Sequence, residues 1–243
     1  MKIISLNVND FGGANNHRKE YYDKKLYEEW DKIDKSINVT EMFTFIYKGN
    51  PTIIILQEYD LNSEVAKLFC NSMQIIGFKM LYNPPIDRRP SMTVMFIRED
   101  LLYEQIESPH KKANFGPRSY AIRTADYIIY GTHVPFTDSV NFWNEIIDFY
   151  NQYKNKKVAL IGDFNVYKLG TAVKNKYFKL LSLGAIDAWL KKGNANSTKT
   201  VKNYECRLDY VIMSPAMFEN LIDIKIESTL MENNITDHAA LII

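Results

Sequence analysis

The sequence predicts an α/β protein with β-sheet at its centre. Short apolar runs, several rich in β-branched residues, recur from one end of the chain to the other. Segments with helical spacing separate many of them. No internal repeat and no low-complexity linker divides the 243 residues, so one domain spanning residues 1–243 is expected. Strands are expected at 2–7, 52–57, 77–82, 92–98, 118–124, 127–132, 158–162, 207–213, 222–227 and 239–243.

The clearest helical pattern covers 19–37, where Tyr22, Leu26, Trp30, Ile33 and Ile37 fall on one face. Further helices are expected at 40–47, 63–73, 139–153 and 173–181, with Asp138 as the N-cap of 139–153. Small polar residues dominate 191–202, which reads as an exposed loop.

Composition excludes several classes. With 46% apolar residues the chain can bury a core and is not a disordered protein. No run reaches the roughly 18–20 apolar residues of a membrane-spanning helix. The apolar N-terminal run turns polar too early for a signal peptide. Cys70 and Cys206 are too few for a disulfide framework, so a cytoplasmic setting is expected. Net charge is only +1, but residues 151–210 hold eleven Lys and one Arg against four acidic residues, a local excess of +8. Such an excess can concentrate an anionic substrate.

The chain lacks G-x-S-x-G, the phosphate-binding G-x-x-x-x-G-K-[ST], H-E-x-x-H and C-x-x-C. What recurs is polar chemistry at the ends of apolar strands. Asn7 and Asn9 follow the first, and Gln57 and Glu58 the second. His133 follows 128–132, and Asp163 and Asn165 follow 158–162. Strand ends are where α/β sheets assemble ligand sites. Glu58, Asp163, Asp209 and Asp237 are hard oxygen donors, and Asn7, Asn9 and Asn165 add amide oxygens. That set suits Mg²⁺ or Mn²⁺ rather than zinc. His133 and His238 add groups that exchange protons near neutral pH. Metal, carboxylate base and imidazole together form an apparatus for attacking a phosphoester with water.

These residues lie in six short motifs: Ser-Leu-Asn-Val-Asn (5–9), Leu-Gln-Glu (56–58), Gly-Thr-His-Val-Pro (131–135), Gly-Asp-Phe-Asn (162–165), Arg-Leu-Asp-Tyr-Val (207–211) and Thr-Asp-His (236–238). Their order and spacing resemble the metal-dependent endonuclease/exonuclease/phosphatase superfamily over nearly the whole chain. The resemblance implies a four-layer α-β-β-α sandwich of two packed mixed, mostly antiparallel sheets with the site at one end. It implies Glu58 as principal metal ligand, with Asn7 and Asn9 assisting and Asp237 as a metal-site or supporting carboxylate. It implies Asp163 as the group that orients or deprotonates water, and Asn165 and His133 as phosphate-binding groups. Asp209 and His238 resemble the family's carboxylate–imidazole pair.

Two departures refine the expectation. Apurinic endonucleases usually carry Trp-Asn at the first motif and Tyr-x-Pro-Asn at the third, where this chain has Leu6-Asn7 and His133-Val134-Pro135-Phe136. Many members also carry Asp where Asn9 stands. The expected function is Mg²⁺- or Mn²⁺-dependent hydrolysis of phosphodiester bonds, in DNA first, by a monomeric enzyme without a membrane span. The alternative is a phosphatase or phosphodiesterase for a small phosphorylated metabolite or lipid headgroup. Arg118 and Arg123 read as surface ion-pair residues able to grip a phosphate. Tyr82, Phe136 and Tyr167 read as packing residues within reach of a base, and His17 and His110 as surface residues.

Overall fold

Alternation of side chains along the strands determines the layering. In Ile53–Tyr59 (β2), Ile53 and Ile55 point into one cluster while Ile54 and Leu56 point into another. In Val158–Asp163 (β8), Ala159 and Ile161 join the first cluster, and Val158 and Leu160 enter a third. A strand apolar on both faces must be covered on both faces. The two central strands therefore meet across a shared core and carry helices on their outer sides.

The computed structural model describes residues 1–14, 35–84, 91–110 and 115–243. Two six-stranded sheets hold the described strands. The first runs β11-β12-β1-β2-β4-β3, comprising Lys225–Glu227 (β11), Ala240–Ile242 (β12), Ile3–Asn7 (β1), β2, Met92–Arg98 (β4) and Phe78–Leu81 (β3). The second runs β5-β6-β7-β8-β10-β9, comprising Glu104–Ile106 (β5), Ser119–Arg123 (β6), Ile128–His133 (β7), β8, Asp209–Met213 (β10) and Ile186–Asp187 (β9). Each sheet has one parallel pair, β1 with β2 and β7 with β8; the remaining pairs are antiparallel.

Ser36–Gly49 (α1) and Glu64–Ile75 (α2) cover the first sheet through Met42, Ile46, Phe69 and Met73. Ser139–Tyr153 (α3) and Thr171–Ser182 (α4) cover the second through Phe142, Ile146, Tyr177 and Leu180. Each such side chain, fully buried, contributes about 1.5–3 kcal/mol. The expected four-layer arrangement of two mixed sheets is thus the observed one. No helix among the described residues is long and apolar enough to cross a membrane.

Several local expectations need correction. The helix expected at 19–37 lies almost wholly outside the described residues, as does His17; Ser36 and Ile37 open α1. Strands β5 and β9 were not expected: they are three- and two-residue edge strands, too short to show alternation. Asp138 takes the N-cap position of α3, but its carboxylate accepts from the Asn141 side chain instead of capping the helix. The loop at 191–202 ends buried, at Thr200 and Val201. His110 is buried rather than superficial, with Nδ1 2.6 Å from Glu145 and Nε2 2.5 Å from the Tyr130 hydroxyl, its ring stacked on Phe142. Burial pushes its pKa down to about 3. A neutral ring that donates to Glu145 and accepts from Tyr130 fits that environment.

The parallel β7–β8 pairing places Thr132 opposite Gly162 and His133 opposite Asp163. Gly162 has φ of +141°, and a Cβ there would lie 2.0 Å from the Thr132 carbonyl oxygen. Backbone cannot yield as a flexible side chain can. Gly162→Ala is therefore expected to lower unfolding free energy in urea by about 2 kcal/mol or more. An unchanged urea midpoint would contradict this account of the β7–β8 contact.

Candidate active site

The C-terminal ends of both parallel pairs open at the same end of the sandwich. Asn7 ends β1, Glu58 lies near the end of β2, His133 ends β7 and Asp163 ends β8. Asp209 starts β10, directly opposite Asp163 in the antiparallel register. His238 lies just before β12 and forms an isolated bridge with Val201.

Backbone irregularity re-aims two of these groups. The register of β2 against β4 shifts between Leu56 and Tyr59, and Glu58 takes φ of 56°. Asn165 takes φ of 50° just beyond β8. Left-handed conformations at non-glycine residues cost free energy, and they occur here where side chains must leave the regular alternation.

Asp163 is the hub. Its Oδ2 lies 3.3 Å from Asn7 Nδ2, 3.7 Å from His133 Nε2 and 3.8 Å from His238 Nε2. Its Oδ1 accepts from the Asn165 backbone N–H at 3.1 Å. His133 Nε2 is also 3.5 Å from Glu58 Oε1. His238 Nδ1 is 2.9 Å from Asp209 Oδ2, which directs Nε2 of that ring toward Asp163. Arg118 Nη1 lies 3.4 Å from His133 Nδ1. A guanidinium can only donate, so this contact makes Nδ1 the acceptor and leaves the proton on Nε2, facing the carboxylates. Arg118 is thus a half-buried neighbour of the site, while Arg123 pairs with Glu104 at 3.6 Å on the sheet edge.

The expected residues Asn7, Glu58, His133, Asp163, Asn165, Asp209 and His238 come together. Two fit less directly. Asn9 donates its Nδ2 to the Gly13 carbonyl at 2.8 Å, and its backbone N–H holds Asn7 Oδ1 at 3.0 Å. Asp237 belongs to neither cluster of close ligand atoms among the described residues, Glu58–His133–Asp163 or Asp163–Asp209–His238. Its backbone carbonyl instead accepts from Lys202.

Supporting residues escaped the sequence reading, and of them only Arg207 and Thr236 lie in the motifs. Thr236 Oγ1 donates to the Asn7 carbonyl at 2.7 Å, tying the last motif to the first. Thr200 Oγ1 accepts from the N–H groups of Leu208 and Asp209, at 2.9 and 3.1 Å. Arg207 grips Asp187 with two hydrogen bonds, of 3.1 and 2.7 Å, and Tyr177 donates to the same carboxylate. Arg and Asp in sequence announce charge, not the through-space partner that makes them structural.

Charge is crowded here. Burial, then the facing Asp209, push the Asp163 pKa up to about 7 against the opposing fields of His238 and Lys168. Burial alone would lower the His238 pKa, but Asp209, Asp237 and Asp163 together raise it to about 9. The ligand atoms of Glu58, His133 and Asp163 lie within 4.8 Å of one another. Carboxylate oxygens with an amide alongside fit a hard divalent cation, and neither cysteine joins a cluster among the described residues. With its proton on Nε2, His133 fits hydrogen-bond donation better than ligation; Glu58 and Asp163 are the carboxylates at hand, while Asn7 turns its Nδ2 donor toward Asp163 and its oxygen to the Asn9 N–H.

No protein-family model matches the chain, and no curated protein matches it. Solved structures do. An AP endonuclease from Archaeoglobus fulgidus is similar at TM-score 0.70 and 15% identity, covering 100% of this chain and 98% of that one. A 3′-5′ exonuclease, NExo, from Neisseria meningitidis is similar at TM-score 0.67 and 17% identity, with the same coverage. The AP endonuclease LMAP from Leishmania major is similar at TM-score 0.70 and 13% identity, covering 99% of this chain and 86% of that one.

A carboxyl whose pKa is raised on folding holds its proton more tightly in the folded than in the unfolded chain. Asp163 therefore favours folding at low pH, and that contribution is lost as pH rises from about 4 to about 7. In chelator at pH 8, Asp163→Asn is expected to raise unfolding free energy by about 2–4 kcal/mol, with little effect at pH 4. Urea unfolding at both pH values measures this; equal effects at the two would contradict the raised pKa.

Proposed function

From a chain with the fold of the endonuclease/exonuclease/phosphatase superfamily, we propose a divalent-metal-dependent hydrolase of phosphodiester bonds acting on DNA. The observation that carries the reading is the meeting of Glu58, His133, Asp163, Asp209 and His238 at one end of the sandwich. Scattered structural carboxylates would be paired with cations; here two face each other across a ladder rung with imidazoles around them. The similar structures include a 3′ phosphatase bound to a product DNA hairpin, an exonuclease and AP endonucleases, which supports nucleic acid as the substrate class.

In the proposed reaction Glu58 would hold Mg²⁺ or Mn²⁺, with Asp163 beside it. When bound, that cation offsets phosphate charge and acts as a Lewis acid. Asp163 orients a water in line with the scissile bond and accepts its proton. The water oxygen bonds to phosphorus as the bond to the leaving ester oxygen breaks, and that oxygen takes a proton from solvent. His238, kept protonated by Asp209, donates from Nε2 to a non-bridging oxygen, where negative charge grows. His133 donates from Nε2 in the same way, with Arg118 fixing its tautomer. Asn165 places its backbone N–H on Asp163 and its amide on the Val134 carbonyl at 3.0 Å, so one amide hydrogen is left to meet phosphate.

Purified protein is expected to cleave DNA with Mg²⁺ or Mn²⁺ and to stop on addition of chelator. Asp163→Ala and His238→Ala are each expected to lower kcat by about 10²-fold or more. Full activity in both variants, or turnover that persists in chelator, rules the reading out.

A further inference from the structure

Beside the carboxylates stands a cluster that the proposed chemistry does not use. Phe136 follows β7 shortly after His133, and the residue is 54% exposed. Lys168 follows β8 shortly after Asp163, and its ammonium lies 4.6 Å from the centroid of the Phe136 ring and 4.7 Å from that of Tyr204. Tyr204 comes from the segment before β10, which is anchored to the site: Val201 bridges His238, and Lys202 donates to the Asp237 carbonyl. Three loops that deliver catalytic candidates thus also deliver two aromatic rings and the cation between them.

An exposed phenyl ring gains nothing from water. Its neighbouring ammonium, in the segment of local charge +8, makes the patch complementary to a polyanion that also carries flat apolar surface. Nucleic acid with unpaired bases is such a ligand. In a duplex the base faces are stacked on one another and cannot reach a ring; an unpaired base offers its face.

We propose that Phe136, Lys168 and Tyr204 form a subsite for an unpaired deoxynucleotide adjoining the scissile phosphate, so that the enzyme prefers single-stranded DNA. This rests on the phosphodiesterase reading above and specifies its substrate. The base stacks on Phe136 while Lys168 engages the neighbouring phosphate, and Tyr204 supports the ammonium from its other side.

The test measures both binding and turnover. Fluorescence anisotropy in chelator gives Kd for a single-stranded oligonucleotide and for a blunt duplex of the same sequence; KM for both is then measured with Mg²⁺. The wild type is expected to favour the single strand. Phe136→Ala is expected to weaken single-strand binding by roughly tenfold or more, the scale of one lost stacking contact, and to erase the preference. Phe136→Tyr retains the ring and is expected to keep the preference. Lys168→Gln is expected to weaken single-strand binding and to flatten its salt dependence. Equal affinity of the wild type for both forms, or equal loss on both in Phe136→Ala, overturns the subsite. A strand preference that persists in binding with no turnover supports the subsite and overturns the phosphodiesterase reading, so the two failures are distinguishable.

Discussion

Two carboxylates placed opposite each other on one rung of a buried ladder set the terms for the rest of the site. Asp209 and Asp163 are register partners, 3% and 2% exposed. Like charges this close in a medium poorer than water in screening power repel strongly. The protein answers with His238 locked on Asp209, an Asn165 N–H on Asp163 and the nearby Lys168. Even so burial, with Asp209, holds the Asp163 pKa up at about 7, well above an ordinary aspartate. Burial and the facing Asp209 thus leave Asp163 short of positive charge, which the proposed cation would supply.

The fold supplies this arrangement at little extra cost. Parallel pairs end together, so β1–β2 and β7–β8 each deliver two polar residues at one level: Asn7 opposite Gln57, His133 opposite Asp163. The apolar alternation that packs the sheets against each other then fixes the distance between the two pairs. Gly131 shows how tight that fit is: a Cβ there would lie 2.6 Å from Ile55 Cγ2 on the facing sheet. Chemistry at the strand ends and packing between the sheets are the same design read at two heights of the strands.

Much of this was legible in the sequence because strands advertise themselves locally. Met92–Arg98 and Ser139–Tyr153 fall where their apolar patterns place them. The site residues were legible as polar groups ending apolar runs, and the motif order suggested their convergence. Illegible features depend on partners far along the chain. Arg207 and Asp187 form a buried pair that no spacing reveals, and Thr236 reaches the Asn7 carbonyl from the opposite terminus. His110 looks like a lone loop histidine until the fold sets Glu145 and Tyr130 on its two nitrogens. Asn9 carries the same residue type as Asn7, yet its amide is turned to the Gly13 carbonyl, a difference of backbone conformation that composition does not encode.

The central claim is a cation position at Glu58, beside Asp163. Crystals soaked in Mn²⁺ and measured for anomalous scattering test it directly. The account predicts a peak within about 2.0–2.4 Å of a Glu58 carboxylate oxygen and close to Asp163. A peak elsewhere on the molecule with none at Glu58, or no peak at saturating Mn²⁺, would contradict it.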